Sequence, residues 1–286
     1  MDAARTSRTG RVALVGLGAV LLTATLAGCG GSAEPNATPS LVPGASSGAK
    51  ITIGIPIDEP GLGMKSGDSY SGFDVETATY VAKSLGVPAE NITWVEAEGD
   101  KRQELLASGG ADLIVSTFSI TDERKKVVSF AGPYFDAEQD LLVRRNEEEI
   151  TGPDTLGGRT LCTVSGTTSA DNVLKRYRGK ITLVEKPRYS ECVEALAASD
   201  VDAVTTDDVI LAGFAAEDQY KGKLRVLGRG FSTETYGIGV KLGDTAMVDK
   251  VNAALKQYVS DGSWKAALQK TVGPSGYSLP DAPSVG

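Results

Sequence analysis

Two stretches separated by a constant ninety positions carry the same short pattern, and nothing else in the chain constrains its fold as much. When Glu104-Leu105-Leu106-Ala107-Ser108-Gly109-Gly110-Ala111-Asp112 is set above Glu194-Ala195-Leu196-Ala197-Ala198-Ser199-Asp200-Val201-Asp202, Glu, Leu, Ala and Asp coincide at four places. Both stretches read as a helix, a short turn, an aspartate and an apolar strand. Short helix–strand segments also converge by chance. The correspondence nevertheless suggests two lobes of one design.

The flanking patterns agree. Residues 51–57 form a strongly apolar strand that ends at Asp58, Pro60 and Gly61. Val75, Ala78, Val81, Ala82 and Leu85 recur at helical spacing, and Gly86 with Pro88 closes that helix. Residues 92–95 are a short strand, Asp100 and Gln103 have capping-box spacing ahead of the next helix, and 111–117 read as a buried strand. The second half starts over with strands at 158–164, 181–185 and 202–206 and helices at 169–178, 190–198 and 209–216. Acidic residues 147–149 and Gly152-Pro153 mark the boundary between the halves. Strands alternating with helices predict an α/β fold with mostly parallel sheet. Ligands bind beyond the carboxyl ends of such strands. Those ends fall at 116–119 and 206–208, so two similar lobes would turn them toward one cleft.

Composition removes several kinds of chemistry. The 286 residues include no histidine, which excludes Ser-His-Asp and Cys-His catalysis and every His-bearing metal site. Three cysteines are too few for an all-thiolate zinc site. A formal charge of −8 counts against nucleic acid as a partner. No cofactor is expected.

The amino terminus reads as an address. Arg5, Arg8 and Arg11 precede an uncharged run of 15 residues, 12–26, which is short of the ~20 a spanning helix needs. A secretory leader over 1–28 is expected. Leu26-Ala27-Gly28-Cys29 resembles a bacterial lipobox, which implies cleavage before Cys29 and diacylglycerol on its sulfur. The protein would then sit on the outer face of the cell membrane. Residues 29–49 are rich in Gly, Ser, Ala, Pro and Thr and read as a flexible tether. Removing 28 residues leaves 258, with 26 basic and 36 acidic side chains and a net charge of −10. With Cys29 lipidated, Cys162 and Cys192 remain. In an oxidising compartment they are expected to pair, closing a loop that the chain-entropy account values at roughly 3–4 kcal/mol. The alternative is two free buried thiols.

The candidate ligand groups follow the strand ends. Residues 116–126 combine hydroxyls, turn amides and Arg124, whose guanidinium can grip a carboxylate through two parallel hydrogen bonds. Lys125 and Lys126 read as solvated cations. Ser165-Gly166-Thr167-Thr168-Ser169 bridges a strand and a helix, either as an anion site or as ordinary capping. Asp207 offers an acceptor-only side chain suited to an ammonium group, or equally a helix N-cap.

Together these residues resemble the family 3 solute-binding proteins, the polar amino acid receptors of ABC importers. The resemblance runs over 51–278 and rests on Gly72-Phe73-Asp74-Val75, on 119–126, on Phe130-Ala131-Gly132-Pro133-Tyr134-Phe135, on 165–168 and on 202–208. Within the family the likeness is to actinobacterial glutamate-binding lipoproteins, through Gly61-Leu62-Gly63, the Cys162/Cys192 pair and 203–213. It implies a two-lobed periplasmic-binding-protein-like fold with two crossing segments, each lobe a central sheet flanked by helices. Lobe 1 would comprise 51–140 plus 237–278, lobe 2 would comprise 144–234, and 279–286 would be a C-terminal tail. The crossings would lie near 140–144 and 235–241, where the chain would hinge.

The resemblance also implies roles. Arg124 would hold the ligand α-carboxylate, with Ser119, the Thr117 backbone and Thr168 adding hydrogen bonds and Thr167 close by. Asp207 would meet the α-ammonium. Some relatives place a side-chain cation at the end of the first strand, where this chain has Pro56; Arg102 and Lys65 are the replacements available. L-glutamate is the expected ligand, ABC permease subunits the expected partners, and a monomer the expected state. The competing readings are an enzyme like the cyclic amino acid dehydratases, or a ligand sensor for a membrane receptor.

Overall fold

The computed structural model describes residues 48–177 and 179–286. The leader at 1–28, the lipidation candidate Cys29 and the tether up to residue 47 lie outside the described residues.

The chain opens with β1 (Ile51–Ile55), a small antiparallel sheet of β2 (Asp58–Glu59), β3 (Gly63–Ser66) and β4 (Ser69–Ser71), and helix α1 (Phe73–Ser84). β5 (Ile92–Glu96), α2 (Arg102–Ser108), β6 (Leu113–Ile114), β7 (Val128–Ala137) and β8 (Gln139–Arg144) follow. The second half runs β9 (Thr160–Val164), α3 (Thr168–Tyr177), β10 (Thr182–Lys186), α4 (Tyr189–Ala198), β11 (Ala203–Asp207), α5 (Asp208–Ala216) and β12 (Leu224–Val226). β13 (Glu234–Lys241), α6 (Thr245–Ser260) and α7 (Ser263–Thr271) complete it.

Two five-stranded sheets form the lobes, ordered β5-β1-β6-β13-β7 and β10-β9-β11-β8-β12. In each, the first three strands are parallel and the fourth is antiparallel to both its neighbours. The ninety-residue correspondence is thus a structural one. Ile53 and Gly54 pair with Leu113 and Ile114, as Leu161 and Cys162 pair with Ala203 and Val204. The shared aspartate does the same work twice. Asp112 donates its N–H to Thr52 O at 2.8 Å and its Oδ2 accepts from Thr52 N–H at 2.7 Å. Asp202 holds Thr160 in the same way, at 2.8 Å in both bonds. Each aspartate thereby satisfies backbone groups at the mouth of a parallel strand pair. Gly109 and Ser199 end α2 and α4 in the left-handed region, at φ 78° and 69°.

The core is built on this frame. Phe73 meets Phe135 and Trp264 edge-on, and Tyr236 stacks on Phe135. Cys162 on β9 and Cys192 on α4 form a disulfide, with Cα atoms 5.5 Å apart and both residues fully buried. Gly72 before α1 cannot be another residue, because a Cβ there would lie 2.1 Å from Leu62 O.

Several boundaries differ from the expected ones. The first crossing lies at Glu138, not at 140–144, because Gln139–Arg144 pairs with β11 and β12 in the second sheet. The return is complete by Glu234, since all of β13 pairs in the first sheet. The strand expected at 111–117 keeps only Leu113–Ile114 in register, and the chain then bends into the cleft. The Asp100/Gln103 capping box does not form: α2 starts at Arg102, its cap residue is Lys101, and no side chain caps it. The tail at 279–286 is not free, for Leu279, Ala282 and Val285 pack on the core and Gly286 N–H donates to Gly132 O at 3.1 Å.

Candidate ligand-binding site

The strand ends of both sheets open onto one cleft. Each lobe lines it with its three βα junctions. From lobe 1 come residues after β1, β5 and β6, and from lobe 2 residues after β9, β10 and β11.

Arg124 is 7% exposed and lies with its guanidinium 4.8 Å from the Phe118 ring centre. Nη1 donates to Ser119 O at 2.7 Å and Nη2 reaches across the cleft to Gly166 O at 3.1 Å. Both acceptors are neutral carbonyls. Arg124 belongs to none of the ion pairs among the described residues. Burial, followed by the nearby Arg102 charge, lowers its pKa to about 9. A carboxylate against the remaining N–H groups would stabilise the charged form and raise that value again.

Asp207 is the complement. It is 4% exposed, and its Oδ2 accepts from Tyr236 O–H at 2.5 Å. Its Oδ1 is buried without a donor. Although Asp207 is the N-cap residue of α5, its side chain makes no capping bond, so the capping reading fails. Burial, then the Glu234 charge, pushes its pKa up to about 8 against the pull of Tyr236. An ammonium group would supply both the missing donor and the missing charge.

The hydroxyl residues divide. Ser119 is buried and lines the cleft. Thr167 lines it too, but its hydroxyl donates to Val164 O and accepts from Ala170 N–H, so it caps α3. Thr168 Oγ1 donates to Glu234 Oε2 at 2.9 Å and accepts from Gln139 Nε2 at 3.3 Å, in a network beside the crossing segments. Thr168 and Ser169 open α3 in the cleft lining, where the N–H groups of a helix start have no helix carbonyl to meet. Thr117 differs from expectation: its N–H donates to Asp74 Oδ2 at 2.9 Å, which leaves the carbonyl, also accepting from Arg102 Nη1 at 3.4 Å, as the backbone group for a ligand. It sits at φ 42°, a conformation β-branched residues avoid. Asp74, bonded also to Tyr134 O–H at 2.8 Å, holds it there. Burial raises the Asp74 carboxyl to about 7.

The two side-chain candidates part company. Arg102 is 4% exposed and lines the cleft. Its Nε donates to Gly99 O and its Nη1 to Ser116 O at 2.9 Å, and it lies 4.6 Å from the Phe118 ring centre. Lys65 is exposed on β3, 5.6 Å from the Tyr70 ring centre and outside the cleft lining. It is not brought to the site.

Sequence reasoning missed Glu59, Arg188 and Tyr189, which also line the cleft. Glu59 stood inside what read as an ordinary polar loop. Arg188 Nη2 meets Glu96 Oε1 across the cleft at 2.6 Å, and Asp58 Oδ2 accepts from Ser190 N–H at 3.1 Å. Gly99 and Gly166 let the two walls approach: a Cβ on Gly99 would lie 2.4 Å from Ser165 O, and one on Gly166 2.6 Å from Asp100 Cα. The cleft is closed.

A family model for bacterial extracellular solute-binding proteins, family 3, matches residues 51–274. The chain belongs to this family. It is 39% identical over 274 residues to the glutamate-binding protein GluB of Corynebacterium efficiens, covering 92% of this chain and 91% of that one. The glutamine-binding protein GlnH of an ABC transporter in Bacillus subtilis is 34% identical over 269 residues, covering 91% and 96%. Among solved structures, an ancestral arginine-binding protein bound to glutamine superposes with a TM-score of 0.72 at 30% identity, covering 78% of this chain and 98% of its own. A solute receptor for L-cysteine from Neisseria gonorrhoeae gives 0.73 at 30% identity, covering 79% and 91%.

Proposed function

We propose that this protein captures an amino acid, L-glutamate, between its lobes and hands it unchanged to the membrane subunits of an ABC importer. One observation carries the reading: a buried arginine from lobe 1 and a buried aspartate from lobe 2 each lack a charged partner in one closed cleft. A zwitterionic ligand supplies both partners. Arg124 takes the α-carboxylate together with Ser119 and the amides opening α3. Asp207 and the Thr117 carbonyl take the α-ammonium. Arg102 takes the side-chain carboxylate, and the names of the relatives GluB and GlnH support a ligand of that size. An anchor through lipid on Cys29 completes the proposal, and radiolabelled fatty acid entering a Cys29→Ser protein would overturn that part of it.

Calorimetry with a panel of L-amino acids tests the ligand. Glutamate should bind best, with aspartate and glutamine weaker, and Arg102→Ala should weaken glutamate more than glutamine. Equal losses for the two would remove Arg102 from the reading of the distal charge. Recovery of chemically altered amino acid after incubation would favour an enzyme.

A further inference from the structure

The charges that face the cleft outnumber those an amino acid backbone can use. With Arg124 and Asp207 assigned to the two ends of the ligand, Arg188 paired with Glu96 and Glu98, and Asp58 accepting from Ser190 N–H, Arg102 and Glu59 remain. Glu59 is 6% exposed and lines the cleft, and its Oε2 is buried without a donor. Arg102 gives its Nε and Nη1 to carbonyl oxygens. Neither belongs to an ion pair among the described residues, so their charged atoms stand more than 4.0 Å apart. An unpaired cation and an unpaired acid therefore border the same small space.

Few groups near Glu59 can compensate its charge. Asp58 adjoins it on β2, Asp74 faces it from α1, Arg102 from α2 and Asp207 from β11. The hydroxyls of Tyr134, Tyr189 and Tyr236 approach from β7, α4 and β13. From α5 comes Asp208, held by Tyr277 and by the N–H groups of Glu138 and Val209. Arg188, at the start of α4, is tied to Glu96, and Lys65 on β3 lies over Tyr70. Burial and three neighbouring carboxylates, against one guanidinium, hold the Glu59 carboxyl well above its ordinary range.

We propose that Glu59 and Arg102 form the subsite for the far end of the ligand side chain, and that Glu59 tells a carboxamide from a carboxylate by whether it holds a proton. The inference rests on the amino acid reading above. Ionised Glu59 accepts an N–H from a terminal amide while Arg102 donates to the amide carbonyl, so glutamine satisfies both groups. A side-chain carboxylate satisfies Arg102 but sets oxygen against oxygen at Glu59. That contact becomes a hydrogen bond only when Glu59 brings a proton to it. Glutamate binding thus leaves one more proton on Glu59 than glutamine binding does.

The test is calorimetry of the parent protein with L-glutamate and L-glutamine between about pH 6 and 9, in buffers of different ionisation enthalpy, which counts protons. Glutamate should take up as much as about one proton more than glutamine, and the glutamate-to-glutamine affinity ratio should fall by up to about tenfold per pH unit. Titration of Arg124 and Asp207 affects the shared end of both ligands and cancels in the ratio. Glu59→Gln offers an amide donor and an amide acceptor at every pH and binds no proton, so its ratio should be flat. Equal proton counts with a flat ratio in the parent would overturn the role of Glu59, as would a folded Glu59→Gln protein that keeps the parent slope. If that variant does not fold, the proton count in the parent still decides. Binding of neither amino acid would overturn the amino acid reading itself, and this inference with it.

Discussion

The two lobes share a scaffold and divide the chemistry. Strand order, the Asp112 and Asp202 clamps, and the left-handed ends of α2 and α4 repeat at one offset. The same offset pairs Thr117 with Asp207, and Arg102 with Cys192. At the first pair, lobe 1 presents a backbone carbonyl on a bent chain and lobe 2 a carboxylate. At the second, lobe 2 buries half of a disulfide, while lobe 1 places the buried Arg102 guanidinium in the cleft lining. Gly54, the counterpart of Cys162, leaves no thiol for a matching bridge; a Cβ there would already lie 2.5 Å from Ile114 Cδ1. A position that only holds lobe 2 together thus lines the cleft in lobe 1. Two copies of a scaffold give two different walls, and a dipolar ligand needs both.

The largest expected effect tests that division. Arg124→Ala or Asp207→Ala leaves one desolvated ligand charge without its partner, a loss of about 3–5 kcal/mol, or roughly two to three decades in affinity or more. Calorimetry of each variant with every ligand of the parent measures it. Retention within about threefold in both would dissolve the proposed division of charge.

Next is the staple confined to lobe 2. Reducing the Cys162–Cys192 disulfide should lower the free energy of unfolding by roughly 3–4 kcal/mol, read by urea titration with and without reductant. Coincident curves would mean that lobe 2 is as self-sufficient as lobe 1.

A smaller effect concerns the support under lobe 1. Asp74 keeps a proton in the folded chain up to about pH 7, whereas its ordinary value is 3.8. Below the lower value both folded and unfolded states hold the proton. Between the two values only the folded state does, so stability falls as pH rises through that window, by at most about 1.4 kcal/mol per pH unit. Asp74→Asn should remove one proton from this slope in urea titrations between about pH 4 and 7. An unchanged slope would assign the pH dependence to Asp207 and Glu59 instead. Smallest of all, Lys65→Ala should leave every affinity within about twofold, under 0.5 kcal/mol, since its ammonium lies over Tyr70 outside the cleft; a larger loss would extend the lobe 1 wall beyond the small sheet.

Much of the frame was legible in the sequence because it rests on apolar periodicity. β1, β5 and β9–β11 and the helices between them stand within a few residues of the expected spans. The exceptions have physical causes. β8 opens with Gln139 and Asp140, which do not read as strand, yet both are buried because partners satisfy them. Gln139 bonds Glu234 and Thr168, and Asp140 accepts from Leu141 and Arg229 N–H groups. This polar start hid the crossing at Glu138. In the site, Arg124 and Asp207 could be picked out by charge type at strand ends. Glu59 could not, since an acid beside Pro60 and Gly61 looks like any solvated turn until the opposite lobe covers it. For Lys65 the sequence offered a charge without a direction, and the β3–β4 pairing turns it outward.

The ion pair between Arg188 and Glu96 sits at the rim of the cleft, with side chains 40% and 31% exposed. Water and dissolved ions reach it, so its strength follows the ionic strength of the medium, as that of Arg124 in the interior does not. It joins the two walls and borders the space between them. With its charges paired to each other across the cleft, such a bond discriminates little among occupants and adds to the barrier to departure of each. Selectivity and dwell time are therefore written in different residues, and the salinity outside the cell acts on the second while leaving the first alone.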